Sequence, residues 1–314
     1  MRRIAAGCGT KAGRGLRATA GSIVAATAVV GAVITAPSSS AAPLCSASGA
    51  SPVLVAQAPG AALEAVTVDR SGRLYATDLL SGRILRFDGP GSPASVVATV
   101  PGGGAGGLAW APDGDLLVGY GAQTAATGDA MRAAGIVKVN VATGAVVPFA
   151  TGLSAANGLA VGPDGTVYAT NDLGSLIGRV SPDGTVQADW ATLPSANGAA
   201  VDADGRYLYV SRSFVDPGVS RIPVSNPSAP ESLVTFGGVD VLAIPDGLTL
   251  DGRGRPLVPA AGTGQFLRVD GPNAVCAVAN GPLLSSAVAY GAGPTGFSAG
   301  RLFRVGFDGA VFEV

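Results

Sequence analysis

The chain has 314 residues, 20 of them Lys or Arg and 21 Asp or Glu, and it contains no histidine. That absence excludes a Ser-His-Asp triad, a His general base and His-ligated zinc. Charged residues make up 13% and aromatic residues 5%, whereas 48 glycines and 22 prolines point to many short strands joined by tight turns, without a long amphipathic helix.

Residues 1–42 read as an export leader. Arg2, Arg3, Lys11, Arg14 and Arg17 form a basic n-region, Ala18 to Ala36 an apolar stretch, and Ser40-Ala41-Ala42 a small-residue cleavage site. The apolar stretch is about long enough to cross a bilayer, so an uncleaved anchor is the alternative. Leu44 directly before Cys45 is too large for lipoprotein processing, and the twin arginine lacks a strongly apolar motif behind it. Taking the five leader bases from the 20 leaves 15 against 21 acidic residues, a net charge of −6. A chain of that charge is a poor partner for nucleic acid or an anionic membrane surface. Cys8 departs with the leader, leaving Cys45 and Cys276, a pair expected to bond in an oxidising compartment and to pin the N-terminus beside the ring's closure. The alternative is two unpaired small apolar residues.

From residue 52 one unit recurs. Its clearest copy is Asn157-Gly-Leu-Ala-Val-Gly-Pro-Asp-Gly-Thr-Val-Tyr-Ala-Thr-Asn-Asp172, a strand, a Pro-Asp-Gly turn and a second strand. Further copies begin at Glu64, Gly106, Asn197 and Asp246, and a degenerate one at Ser286, with spacings of 42, 51, 40, 49 and 40 residues. Two more strands follow in each unit, as in Gly82–Asp88 and Ala94–Val100. A period of that length with four strands per unit predicts an all-β, six-bladed β-propeller of antiparallel blades over residues 43–314. The last unit stops one strand short, and Pro52–Ala58 is placed to supply it, closing the ring. Longer inserts at Gly121–Ala134, Phe214–Pro217 and Gly293–Gly300 are expected to rim one mouth of the channel.

In a propeller the same position of successive units faces its counterparts across the channel. Glu64, Asn157, Asn197 and Asp246 would then form a ring of hard oxygen donors, with Gly106 and Ser286 completing it. Two carboxylates match the charge of one divalent cation, and an all-oxygen set without His favours calcium, with zinc, magnesium or manganese as alternatives. Asn-Gly and Asp-Gly are also ordinary turn dipeptides, but the turn in each repeat is already supplied by Pro-Asp-Gly. Gly296-Phe-Ser-Ala-Gly300 matches a nucleophile elbow on paper only, because it has no base and no strand-to-helix setting. Gly102-x-Gly104-x-x-Gly107 leads into a strand, which excludes a dinucleotide loop.

On these residues the chain resembles the senescence marker protein/gluconolactonase family of six-bladed, metal-dependent propellers. The resemblance covers residues 52–314 and implies metal ligands at Glu64, at Asn197 in Ser-Ala-Asn-Gly and at Asp246 in Ile-Pro-Asp-Gly-Leu, with Asn157 facing both metal and substrate. Two departures stand out. Ala155 replaces the Arg of sugar-lactone members, which weighs against an aldonolactone, and Leu63-Glu64-Ala65 replaces the more usual Glu-Gly-Pro.

The chemistry left open is metal-assisted hydrolysis of a small lactone or ester, with Asp246 as ligand and base and Asp172 within reach of the substrate, or else a turn residue in solvent. A non-catalytic secreted binding module with a structural calcium, and an enzyme resembling strictosidine synthase, are the alternatives. Arg212, where other repeats carry Asp78 and Asp172, would suit a different ligand. The protein is taken as a monomer.

Overall fold

The computed structural model describes residues 42–45 and 51–314, so the expected leader lies outside the described residues except for Ala42. Among the described residues no helix is long and apolar enough to cross a membrane. The chain folds into six four-stranded antiparallel sheets, each built from strands consecutive in sequence except the last.

Blade one consists of Leu63–Val68, Leu74–Asp78, Arg83–Phe87 and Ser95–Thr99, from the channel outward. Blades two to five repeat this order, with inner strands Ala105–Trp110, Leu159–Val161, Ala196–Val201 and Thr249–Leu250. Second strands are flanked by sheets on both faces, which is why Leu74–Asp78 and Pro256–Ala260 are buried at every position. The turn glycines, Gly72 and Gly165 among them, hold positive φ, which the right-handed twist of a tight hairpin requires.

The core is a ring of contacts between blades rather than one central mass. Leu63, Val66, Leu74 and Phe87 of blade one pack with Ala287, Phe303 and Val305 of blade six. Tyr168, Ile177 and Trp190 of blade three pack likewise with Leu208, Val210 and Ile222 of blade four. Closure is as the sequence predicts. Val53–Gln57 pairs antiparallel with Ala310–Glu313, joining Val53 to Glu313 and Gln57 to Ala310, and so supplies the outer strand of blade six.

The expected disulfide is also present between Cys45 and Cys276, which lies in Ala274–Asn280, the outer strand of blade five. Residues beside it extend that edge, with Cys45 N–H donating to the Ala277 carbonyl at 2.8 Å and Ala277 N–H to that of Pro43 at 2.8 Å. The bond spans 231 residues and ties the segment before the closing strand to blade five, next to the blade that strand completes. Replacing both cysteines with Ser is expected to lower unfolding stability by about 2–4 kcal/mol, read from guanidinium midpoints, because the unfolded chain regains the freedom the cross-link removes. An unchanged midpoint would show that the closing strand alone secures the ring.

The inserts do not share one mouth. Antiparallel strands place successive loops at alternate ends of a blade. The segments around Gly121–Ala134 and Phe214–Pro217 join second to third strands, at the end where the inner strands begin. Gly293–Gly300 joins first to second strands and lies at the opposite end, where Phe297 N–H donates to the carbonyl of Gly72, in the first hairpin turn of blade one. Phe297 is fully buried edge-on against Phe303, so this insert is anchored in the core between blades six and one.

Candidate functional site

Glu64, Asn157, Asn197 and Asp246 line one narrow cavity of about 60 Å³ at the start of the inner strands, together with Gly107, Gly158 and Gly247. All four are more than nine-tenths buried. Such a volume suits one ion with about one or two waters. No aromatic residue lines it.

Local backbone irregularity aims these side chains inward. Pairing in blades one, two and four shifts register between Leu63 and Val66, Ala105 and Leu108, and Ala196 and Ala199, so Glu64, Gly106 and Asn197 sit on bulges, whereas Asn157 and Asp246 stand just before their inner strands. The Asn-Gly pairs therefore lie within or at the head of strands, not in turns. A Cβ on Gly158 would stand 2.3 Å from the Asn197 carbonyl oxygen, and one on Gly198 2.2 Å from Leu248 N, so glycine here allows neighbouring inner strands to converge.

A second set of residues, missed in the sequence reading, fixes the register between blades. Thr77 donates to the Gly106 carbonyl at 2.7 Å, Thr170 to that of Asn197 and Ser211 to that of Asp246. Thr77 and Thr170 also accept N–H bonds from Ala65 at 3.1 Å and Gly158 at 3.0 Å. Each hydroxyl thus ties one blade to the first position of the next. Its signal is visible as a recurring Tyr-x-Thr/Ser: Tyr75-Ala-Thr77, Tyr168-Ala-Thr170 and Tyr209-Val-Ser211. Ser213 adds a further link, accepting from Asn197 Nδ2 at 2.9 Å and donating to the Pro245 carbonyl at 2.6 Å.

Two first positions give the cavity no donor. Gly106 has no side chain, and across that gap Asn157 Nδ2 donates to Glu64 Oε1 at 3.0 Å, joining blade three to blade one. Ser286 turns its hydroxyl to the Leu63 carbonyl at 2.6 Å and is spent on the joint between blades six and one. Arg212, read as a possible ligand contact, points outward to the Val234 carbonyl at 3.1 Å and Thr235 Oγ1 at 2.9 Å. Asp78 accepts from Ala62 N–H, Ser81 and Arg83, bracing the loop before Glu64.

The electrostatics of the ring are unfavourable as it stands. Burial, then the Asp172 charge, pushes the Glu64 carboxyl up to about 8 against the opposing bond from Asn157. Asp246 is raised well above the usual carboxylate range by burial, then by Glu64 and Asp172, against bonds from the Asn197 amide and Gly247 N–H. Asp172 is itself raised by burial. Asp172 is half-buried and does not line the cavity, but its charge raises both ring carboxylates.

Glu64 Oε2 and Asn157 Oδ1 are buried with no hydrogen-bond partner. Buried orphan acceptors are costly unless something meets them. Two acceptor oxygens, a second carboxylate and a second amide fit a hard divalent cation. No cluster of three His, Cys, Asp or Glu with metal-holding geometry occurs among the described residues, consistent with a set made half of amides.

Residues 63–294 match the family model described as SMP-30/Gluconolactonase/LRE-like region. The chain belongs to this family. A gluconolactonase from Xanthomonas campestris is 17% identical over 89% of this chain and 98% of that one, with a TM-score of 0.67. A calcium-binding protein, regucalcin, from Agrobacterium tumefaciens is 19% identical over 84% of this chain and 93% of its own, with a TM-score of 0.64. Virginiamycin B lyase from Staphylococcus aureus is 14% identical over 81% and 80%, with a TM-score of 0.57. A search of curated protein sequences gives no match. At such identities the solved structures establish the shared propeller, and the family places this member among proteins that include gluconolactonases.

Proposed function

We propose that this family member is an exported, divalent-metal-dependent hydrolase of lactones or small esters, with calcium the favoured ion. The observation carrying the reading is the pair of orphaned buried oxygens, Glu64 Oε2 and Asn157 Oδ1, beside a second carboxylate whose negative charge the fold leaves unbalanced. Glu64, Asn157, Asn197 and Asp246 would hold the ion, which supplies polarisation of the substrate carbonyl and a more acidic water. Asp246 accepts the proton of the attacking water as its oxygen bonds to the carbonyl carbon, and gives that proton to the departing oxygen as the ester or ring C–O bond breaks. Asn157, its amide nitrogen held by Glu64, keeps its carbonyl oxygen pointed in one direction. Asp172 at the mouth contacts the substrate and excludes a second anion. The disulfide supports an oxidising destination beyond the membrane.

The test is hydrolysis of a lactone and aryl-ester panel by the purified protein, with EDTA, with calcium restored, and in Glu64→Ala. Turnover that is lost with EDTA, returns with calcium and is missing in the variant is expected. Calcium binding without turnover of any panel member would favour a binding module, and no calcium binding would remove the metal site itself.

A further inference from the structure

The end of the propeller that opens onto the carboxylate ring differs from the other end. Nine large apolar side chains stand exposed on its loops, and none stands exposed on the loops of the opposite end among the described residues. Four of them stand within four residues, along the chain, of groups that form or brace the site, although none lines the cavity itself. Leu80 (69% exposed) follows Asp78, which braces the loop before Glu64. Leu173 (53%) follows Asp172, and Phe214 (53%) follows Ser213, the acceptor for Asn197. Leu242 (63%) lies on the short turn Gly238–Ala243 that leads into Asp246. Single exposed apolar residues are ordinary, but a set gathered at one mouth marks a binding surface.

Polar side chains of the same face are largely engaged by the protein. Asp129 on the helix Ala125–Met131 accepts from Ser154 at 2.5 Å, Ser175 N–H at 2.7 Å and Leu176 N–H at 3.2 Å. Asn171 donates to the Ala125 carbonyl and to Ser154, and Arg212 is committed to its own blade's outer strand. A polyhydroxylated ligand would find few free partners there. Apolar carbon would find Leu, Phe and Val. With a dication balancing Glu64 and Asp246, Asp172 is the acidic group left beside the ring, which disfavours an anionic ligand and admits a neutral one.

We infer that the substrate is a neutral lactone or ester bearing an apolar chain, its carbonyl at the Glu64–Asp246 ring and its chain lying across Leu80, Leu173, Phe214 and Leu242. This inference rests on the hydrolase reading above for its reacting group, and on the apolar mouth for the chain.

The experiment is a chain-length series of γ-lactones, from γ-butyrolactone to γ-dodecalactone, beside gluconolactone, with kcat/KM measured on the calcium-loaded protein. Calorimetric binding of the matching γ-lactams, which resist hydrolysis, runs in parallel. Full burial of a methylene is worth about fourfold, so an open rim that covers about half of each is expected to give about twofold per methylene. In Phe214→Ser combined with Leu173→Ser that slope is expected to shrink toward unity in both measurements. Active protein with a flat series, or with gluconolactone preferred, overturns the inference and leaves the hydrolase reading standing. Lactams that bind more tightly with length while no lactone or ester turns over would uphold the apolar mouth and overturn the hydrolase. Absence of any length dependence in binding overturns the inference whatever the kinetics show.

Discussion

Asp246→Asn is expected to lower kcat/KM on whichever lactone or ester is best by about 10³–10⁴-fold, while the protein without metal becomes harder to unfold. The loss combines two roles in one carboxylate, a general base worth about 10²–10⁴-fold and a share in holding the ion. The gain follows from the geometry. Asp246 is buried and its charge is opposed by Glu64 and Asp172, so the neutral amide of the same shape removes a repulsion without leaving a hole. The Gly247 N–H keeps its acceptor, the Ser286 carbonyl at 2.6 Å, whichever side chain stands at 246. A thermal midpoint in EDTA above that of wild type, together with abolished turnover, would separate a functional carboxylate from a structural one. A variant that unfolds more easily at pH 8 would mean that Asp246 supports the fold and that its assignment as base is wrong.

The ring was legible because the repeat is carried by residues whose physics is local. Pro163-Asp164-Gly165 must turn, and the alternating strands around it must pair, so six units and the closing strand followed from period alone. Four donors were found because a position repeated every 40 to 51 residues has to face its counterparts. Less could be read where the decision is tertiary. Ser286 shares the repeat position with Asn197, yet its short hydroxyl reaches the Leu63 carbonyl and never faces the cavity. Arg212 occupies a column of carboxylates, but its long side chain runs outward to Thr235. The Thr77, Thr170 and Ser211 ties were visible as a recurring triplet and went unread, since a hydroxyl in a strand has no meaning until the carbonyl it meets in the next blade is known. The insert Gly293–Gly300 does not share a mouth with the other two, because the end at which a loop lies depends on which strands it joins and not on its length.

The same carboxylates determine how the fold responds to pH. Glu64 takes up its proton at about 8 when folded, against 4.5 for an unperturbed Glu, and Asp246 and Asp172 shift in the same direction. Between those values the folded protein holds protons the unfolded chain has released. Stability without metal is therefore complete below about pH 4.5 for these groups and is lost as the pH rises toward about 8. Carboxylates of the opposite kind, Asp78 and Asp129, are held below their ordinary range by bonds that outweigh burial, and their contribution disappears only on acidification below about pH 4. The two sets act in separate windows, so a fall between about pH 5 and about pH 8 reports the ring. In EDTA the thermal midpoint is expected to decline across that window by several degrees. With excess calcium the decline should flatten or reverse, because the cation binds the deprotonated ligands and its stabilisation grows as protons leave. Scanning calorimetry at about pH 5, 6, 7 and 8 in both conditions measures this. Two superimposable curves would mean that calcium does not sit among these carboxylates, and a flat curve in EDTA would mean that their charges are balanced by something other than a metal.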